Sequence, residues 1–436
     1  MIKLYVSIGF LLIMHGTIAA QTTQPLTLQK AIKTAVANNR SVGIAKLDEQ
    51  IATAKYKETN AIYLPQLSFS YTALTTNNPL NAFGFKLQQK TIGAADFDPN
   101  QLNHPTATPD FVTKIDLHQP LINMDMVYMR NAAKKQTEIY KYKTQRTEEY
   151  ISFEVEKAYL QLSFAYKAMA VLNESLATAK QINEFTTNNF KQGLVQKSDV
   201  LNTEVYIAKV ESNILKTQSN IATASDFLSI LMGAKTSTLY TVEDANNSIH
   251  NSSKTISVQR ADFMAMQKAI EASDIMIQSS KKSYLPKLNA FGSYQFNDAS
   301  MFGFSANAYL AGIQLSWNIF KGNKTKNTIA TQTIERNKIT QELEQQKEQS
   351  TLEVAKNLRD IDVANATILQ HNKAIEKATE ALRIVQDRYK QGLVNTIDVL
   401  TASNQLSQQK LNLQQTTLEL HVAQAYLQLL TASNTK

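Results

Sequence analysis

Two long stretches without a helix breaker constrain this chain most strongly. Between Pro120 and Gly193 lie 72 residues without glycine or proline, and between Gly322 and Gly392 lie 69 more. Glycine costs about 1 kcal/mol and proline about 3 kcal/mol inside a helix, so such stretches favour uninterrupted helices. At about 1.5 Å per residue, some 66 helical residues extend on the order of 100 Å. These lengths far exceed the usual helix of about three turns and predict an extended helical assembly.

The chain is an internal repeat of two halves. Residues 189–201 read NFKQGLVQKSDVL and residues 388–400 read RYKQGLVNTIDVL, with eight of the 13 positions identical at a constant offset of 199. The tripeptide YLP begins at Tyr63 and again at Tyr284, each time before a strand-like segment. Each half therefore runs from strands through a long helix and a KQGLV turn to a second helix.

The helices after the two turns carry an apolar residue at every seventh position. The first series is Val200, Ile207, Ile214, Ile221 and Leu228; the second is Val399, Leu406, Leu413, Leu420 and Leu427. A sustained heptad predicts left-handed, coiled-coil packing against a neighbouring helix. A further stripe at Leu411, Leu418 and Ala425 indicates that the last helix contacts neighbours on two sides.

Alternation of apolar and polar residues after each YLP indicates β-strands. The clearest strand runs from Tyr309 to Ile319, about eleven residues, which is the length of a tilted transmembrane strand. Its predicted lipid-facing side chains are Tyr309, Ile313, Leu315 and Trp317. A sheet with one face in water and the other in a core would show the same alternation.

In the first half, the polar side chains of one strand alternate with Ile115 and Leu117. If the strands lie in a membrane, this polar set faces a barrel lumen, where its ordinary role is a solvated lining; it comprises Lys114, Asp116 and His118. Two strands per half make four per chain, and an open four-stranded sheet leaves its edge groups without partners in lipid. Copies of the chain must then close one barrel together, two giving eight strands and three giving twelve.

Composition and motifs exclude several classes of function. The chain has no cysteine, so disulfides, thiolate metal sites and a cysteine nucleophile are excluded. The net charge is +8, but lysine and arginine are spread among glutamate, which argues against nucleic acid. No phosphate-binding, nucleotide-binding or hydrolase motif occurs, and the histidines lie far apart. We therefore expect no enzyme, no catalytic residue, no cofactor and no metal site.

Residues 1–20 have the layout of a secretory signal peptide. One lysine precedes an apolar stretch from Leu4 to Met14 and then small residues, with cleavage expected after Ala19 or Ala20. The apolar stretch is too short to span about 30 Å of hydrocarbon comfortably. We expect the mature protein to leave the cytoplasm.

Taken together, these features resemble the TolC-type outer-membrane efflux proteins of Gram-negative bacteria. The resemblance is carried by LTLQKAI at 26–32, both YLP segments, the strand ends QPL at 119–121 and WNIF at 317–320, and the duplicated GLV…DVL. It implies a trimer with a single twelve-stranded β-barrel in the outer membrane and a coiled-coil tunnel in the periplasm. It also implies a periplasmic adaptor and an inner-membrane pump of the RND, ABC or MFS class as partners.

The resemblance also implies where the adaptor docks and the entrance opens. The corresponding tip residues are Gly193, Leu194, Val195 and Asp199 in the first half, with Gly392, Leu393, Val394 and Asp398 in the second. The two aspartates have two open readings: they bind helix N-terminal amides, or copies of Asp398 form an acidic ring at a closed entrance. Thr401 and Asn202 stand where some relatives have a second acidic residue, which would weaken such a ring.

The sequence thus predicts a mixed α/β membrane protein, mainly α, with a two-fold internal repeat. The predicted segments are a signal peptide (1–20), N-terminal helices (21–62), a first β-hairpin (63–122) with an exposed loop (74–109), a first long helical hairpin (123–232) with its tip turn (191–199), an inter-repeat segment (233–283), a second β-hairpin (284–321), and a second helical hairpin (322–436) with its tip turn (390–398). The predicted function is a passive export channel for small molecules or proteins. The alternative is a periplasmic coiled-coil scaffold or adhesin without a channel.

Overall fold

The two breaker-free stretches form two long α-helices, as predicted. In the computed structural model, which describes residues 23–243 and 255–432, α5 spans Met124–Lys191 and α8 spans Lys324–Lys390. Each ends at a KQGLV turn, after which α6 (Lys197–Leu231) and α9 (Thr396–Thr431) begin. The predicted signal peptide, residues 1–20, lies outside the described residues.

Five shorter α-helices, two 3-10 helices (Thr59–Tyr63 and Ala94–Phe97) and six strands complete the regular structure of the described residues. The other helices are α1 (Leu28–Asn38), α2 (Arg40–Glu58), α3 (Pro79–Gln88), α4 (Pro99–Asn103) and α7 (Ala261–Lys282). Among the described residues, no helix is both long enough and apolar enough to cross a membrane. The strands are β1 (Thr23–Leu26), β2 (Gln66–Thr76), β3 (Thr108–Ile122), β4 (Leu239–Val242), β5 (Lys287–Asp298) and β6 (Ala306–Ser316).

The chain divides into two units, of which the first, the helical unit, contains the tips. Its described residues are 23–43, 148–243, 255–256 and 353–432. One core forms around Tyr159 and Leu228, and the Tyr159 hydroxyl donates to the Leu26 carbonyl at 3.0 Å. There β1 and β4 pair in parallel. A buried Asn39 amide donates to the Leu231 carbonyl at 2.8 Å and holds the break between α1 and α2 in this core.

The two heptad series are buried to different extents. In α9, four of the five residues of the series are buried and Leu413 is half-buried, whereas in α6 only Ile221 and Leu228 are buried. Ala425 is buried, and Leu411 and Leu418 are half-buried, so the second stripe of α9 is also largely covered. The last helix is therefore the better packed of the two.

The second unit, the sheet unit, contains the described residues 44–147 and 257–352 and a four-stranded antiparallel sheet. The strand order is β2-β3-β5-β6. Because paired residues of antiparallel strands point to the same side, the register sorts the side chains into two faces. Phe69, Ile115, Tyr294 and Tyr309 form one row across all four strands. Ser70, Lys114 and Gln295 form a row on the other side.

We call these sides the apolar face and the polar face. The apolar face is defined by Leu67, Phe69, Ile115, Leu117, Tyr294, Tyr309, Ile313 and Leu315, and the polar face by Ser68, Ser70, Lys114, Asp116, His118, Ser293 and Gln295. The apolar face is exposed along most of its length in the single chain. The alternation seen in the sequence therefore continues across the sheet, although Phe291 and Leu310 are apolar members of the polar face.

The strand predicted from Tyr309 to Ile319 is displaced toward its N-terminus. β6 ends at Ser316, whose partner is Lys287, the first residue of β5. Pro286 precedes Lys287 and has no backbone N–H, so the ladder cannot continue past it. Trp317 lies just beyond the strand and donates its indole N–H to the Tyr284 carbonyl at 2.9 Å.

The segment predicted as an exposed loop over 74–109 is shorter and more ordered than expected. β2 continues to Thr76 and β3 begins at Thr108, and α3 and α4 lie between them. Ala82 and Gln89 of this segment are buried. Proline begins both helices, where its missing N–H costs nothing. Two of the four prolines that suggested an irregular loop therefore mark helix starts.

Candidate functional site

Each GLV turn ends a long helix by the same backbone geometry. Gly193 and Gly392 have φ angles of 73° and 72°, the left-handed region that disfavours side chains. The Leu194 amide donates to the Asn189 carbonyl and the Leu393 amide to the Arg388 carbonyl, both at 2.9 Å. This is the Schellman arrangement, which satisfies carbonyls left open at a helix end. The glycine therefore sets each turn.

The two predicted aspartates cap the helices that follow the turns. The Asp199 carboxylate accepts the Gln196 amide at 3.0 Å, and the Asp398 carboxylate accepts the Asn395 amide at 3.2 Å. In the second turn the Asn395 side chain also accepts the Asp398 amide, at 2.9 Å. Helix capping is thus the role that a single chain displays, while the acidic ring at an entrance stays a prediction.

The two turns come together to line one open cleft of about 970 Å³. All of the predicted tip residues except Gly193 line it, namely Leu194, Val195, Asp199, Gly392, Leu393, Val394 and Asp398. Leu194 is 68% exposed and Leu393 61% exposed, so two leucines from opposite halves present apolar surface there. The cleft combines such surface with polar groups at two helix starts, a composition suited to a protein partner.

A buried hydroxyl network behind the second turn was not predicted from the sequence. The Tyr389 hydroxyl lies 2.7 Å from the Thr186 hydroxyl and 2.9 Å from the Thr396 hydroxyl. The Tyr389 ring also packs against Phe185, with 5.3 Å between centroids. The available signal was the difference between the repeats, because Phe190 and Lys197 occupy the corresponding positions of the first half. The network joins α5 to the second turn.

A charged cluster lies on α8 before the second turn. The Arg383 guanidinium binds both oxygens of Glu380, at 2.7 and 2.9 Å, and Asp387 at 3.0 Å. The hydrogen bonds from Arg383 lower the pKa of Glu380. These groups are exposed, so their contribution to stability is small.

The sheet carries the other predicted residues. Lys114 and Asp116 form an ion pair of 2.8 Å on the polar face, and His118 follows on the next rung. Tyr309, Ile313 and Leu315 lie exposed on the apolar face, while Trp317 follows the end of β6. The register therefore places the predicted lumen set on one face of the sheet and the predicted lipid set, except Trp317, on the other.

Across residues 23–243 and 255–432, no group of three or more histidine, aspartate and glutamate side chains is arranged to hold a metal ion. The chain has no cysteine to supply a thiolate.

Comparison with known proteins shows one family over most of the chain. Residues 31–234 and 253–434 match the outer membrane efflux protein family. The cation efflux system protein CusC of Escherichia coli K12 is 23% identical over 388 residues, which cover 86% of this chain and 79% of CusC.

Solved structures share the fold. A CusC crystal structure aligns with a TM-score of 0.80 at 19% identity, covering 93% of this chain and 92% of the other. The CmeC outer membrane channel of Campylobacter jejuni aligns with a TM-score of 0.79 at 14% identity, covering 93% and 85%. VceC of Vibrio cholerae aligns with a TM-score of 0.77 at 16% identity, covering 94% and 97%.

These matches confirm the resemblance carried by the YLP segments and the duplicated GLV…DVL. They also confirm localisation to the outer membrane of a Gram-negative bacterium, with the helical part in the periplasm. Members of the family form trimers and act with a periplasmic adaptor and an inner-membrane pump. The chain belongs to the outer membrane efflux protein family, whose members are channels rather than enzymes.

Proposed function

We propose that this protein is a passive, trimeric export channel that joins an outer-membrane barrel to a periplasmic helical tunnel. The observation that carries the proposal is the sheet with one exposed apolar face and one polar face. Such a sheet is stable when the apolar face meets lipid and the polar face meets a water-filled lumen. Tyr309, Ile313, Leu315 and Trp317 would then contact lipid, and Lys114, Asp116 and His118 would line the lumen.

The need to pair two sheet edges supports the oligomer. Within the described residues, β2 pairs only with β3 and β6 pairs only with β5, so each presents an open edge. Open edges are not stable in hydrocarbon because their N–H and C=O groups would lack partners. Pairing β6 of one copy with β2 of the next closes a ring, and three copies supply twelve strands. Members of the family form trimers, which favours three copies over two.

The cleft between the two turns is the proposed docking site for the adaptor. Its exposed leucines and helix-start groups suit the end of a helical hairpin from a partner protein. The transport energy would come from the inner-membrane RND, ABC or MFS pump, which would also select the substrate, a small toxic molecule or a protein.

The first experiment separates this channel from a periplasmic scaffold. Outer and inner membranes are separated, the protein is extracted in detergent, and its mass is measured by light scattering. An outer-membrane species near three times the monomer mass is the expected result. A periplasmic monomer or dimer would overturn the channel and favour the coiled-coil scaffold.

A charge on each face of β6 tests the assignment of the faces. Ile313→Arg places a cation on the apolar face, where lipid contact should cost about 2–4 kcal/mol and reduce membrane yield. Gln314→Arg, the neighbouring residue on the opposite face, is the matched control and should insert normally. Equal yields of the two variants would show that the assignment is wrong.

The tip assignment is tested by Gly392→Trp. A large side chain at the cleft should impair export while trimers still form, because the cleft is built from the helical unit whereas the strand edges that would pair belong to the sheet unit. The measurements are export by the intact system and the mass of the extracted protein. Wild-type export by a trimeric Gly392→Trp variant would exclude the cleft as the docking site.

A further inference from the structure

We propose that residues 77–107, here called the lid, form a folded constriction over the outer end of the channel. This inference rests on the proposed function, because it takes the polar face as the wall of a lumen. The lid connects β2 to β3, and α2 precedes β2 while α5 follows β3. It therefore lies at the end of the hairpin opposite to the helices, which is the outward end of an outer-membrane barrel.

The lid has a small fold of its own. The Phe83 and Phe97 rings meet edge to face, with 5.7 Å between centroids. Lys86 pairs with Asp96 at 2.8 Å, and the Asp96 carboxylate also accepts the Gly93 amide at 2.7 Å. The hydrogen bond from the Gly93 amide, and to a lesser extent the one from Lys86, lowers the pKa of Asp96. These contacts tie α3 to the turn before α4, so the segment acts as a defined body.

A buried polar latch fastens the lid to the sheet. The Gln89 amide donates to the Asp110 carboxylate at 3.0 Å and to the Pro109 carbonyl at 2.8 Å. The Asn297 amide donates to the second Asp110 oxygen at 2.9 Å. Asp110 is fully buried, and Gln89 and Asn297 are nearly so. A buried carboxylate is stable only while its partners stay in place, so this latch favours the closed position of the lid.

The latch lies on the polar face. Asp110 precedes Lys114 by four residues, so with a period of two their side chains point the same way. Asn297 lies two residues beyond Gln295, which pairs with Lys114. The lid therefore closes on the side of the sheet that carries the proposed lumen lining.

The width of the lid helices relative to the barrel diameter sets how much of the channel exit the lid would obstruct. Twelve strands about 4.8 Å apart and tilted by about 40° close a barrel about 24 Å across between backbones. An α-helix with side chains is about 10 Å wide, so three lid helices would occupy roughly half of that cross-section. The exit would stay passable to small solutes and be hindered for large ones.

Thiol labelling from outside intact cells tests the lid, because the natural chain has no cysteine. Ser293→Cys places a single thiol on the polar face in the row of Asp116. This row lies farther from the lid than the latch residue Asp110 does. Met301→Cys, in the exposed β5–β6 connection, serves as a freely accessible reference. Each thiol is treated with a small charged maleimide and with a maleimide carrying a long polyethylene glycol chain.

With the lid present, the small reagent should label Ser293→Cys and the large reagent should label it slowly. Replacing 79–105 by Asn-Gly should raise large-reagent labelling several-fold. Gln89→Ala, which removes latch donors but leaves the sheet intact, should also raise large-reagent labelling. Gln101→Ala, at an exposed glutamine of the same lid, should change nothing. Met301→Cys should react equally with both reagents in every variant.

The outcomes distinguish the two proposals. Failure of the small reagent to reach Ser293→Cys even without the lid would overturn the lumen, and with it the proposed function. Normal small-reagent labelling, with large-reagent rates unaltered by the deletion and by Gln89→Ala, would overturn the lid alone. Should the deletion variant fail to assemble, the trimeric Gln89→Ala variant decides.

Discussion

The two tips of the repeat have the same turn but different surroundings. Both end α-helices at a left-handed glycine and start the next helix with an aspartate that accepts the cap amide. Tyr389 of the second tip is 6% exposed, whereas Phe190, its counterpart in the first tip, is 41% exposed. Val399 is fully buried and Val200 is only half-buried.

The difference arises from which helix lies against each tip. Ile182 and Phe185 of α5 pack against Tyr389 and Val399, so the second tip forms a core with the first half of the chain. The first tip has no equivalent cover within the described residues, since Leu194, Leu201 and Val205 are exposed. Duplicated sequence therefore produces duplicated backbone geometry, while stability depends on neighbours distant in sequence.

The largest expected difference concerns the aromatic pair. Tyr389→Ala should cost about 3–5 kcal/mol in local stability, because it opens a cavity and removes one hydrogen-bond partner from each of two buried threonine hydroxyls. Phe190→Ala should cost about 1 kcal/mol or less. Native-state hydrogen exchange of the tip helices measures both. Equal losses would contradict the asymmetry.

The turn glycines should behave alike. No atom lies within 4 Å of a β-carbon built on Gly193 or Gly392, so only the backbone conformation opposes a side chain. Gly193→Ala and Gly392→Ala should each cost about 1–2 kcal/mol. Gly43→Ala, inside α2 and also without close neighbours, should stabilise by up to about 1 kcal/mol. Thermal unfolding in detergent compares the three variants. A clear difference between the two turn variants would show that backbone conformation alone does not set the cost of a side chain there.

Removal of one hydroxyl separates the hydrogen bonds of the second tip from its ring packing. Tyr389→Phe keeps the ring and should cost about 1 kcal/mol through the lost hydrogen bonds to Thr186 and Thr396. The reverse exchange, Phe190→Tyr, should be neutral because its position is exposed. Hydrogen exchange of the two tips is again the measurement. Unchanged stability of the Tyr389→Phe variant would mean that packing of the ring, without its hydrogen bonds, stabilises the second tip.

The smallest expected difference lies in the cap residues. The Asn395 side chain accepts the Asp398 amide, so Asn395→Ala should cost about 0.5–1 kcal/mol. Gln196 makes no such side-chain cap bond, and Gln196→Ala should change stability by a few tenths of a kcal/mol at most. Amide exchange in the first turns of α6 and α9 reports each effect. A larger loss at Gln196 would reverse the ranking.

Much of the fold could be predicted because its signals are local. The absence of glycine and proline located α5 and α8, and the left-handed glycines marked both turns. The alternation around Lys114 and Ile115 anticipated the two faces that the register then aligned across four strands. The predicted end of β6 is wrong because the signal that stops the strand, Pro286, comes just before the partner strand and not within β6 itself.

The long helices, the repeated turns and the alternation of the strands follow from local sequence, because backbone sterics and side-chain period act within a few residues. The burial of Tyr389 in contrast to Phe190, and the meeting of Gln89 and Asn297 at the Asp110 carboxylate, depend on tertiary packing. Burial and buried hydrogen bonds join residues far apart in the chain, and no local pattern specifies which distant group will be present.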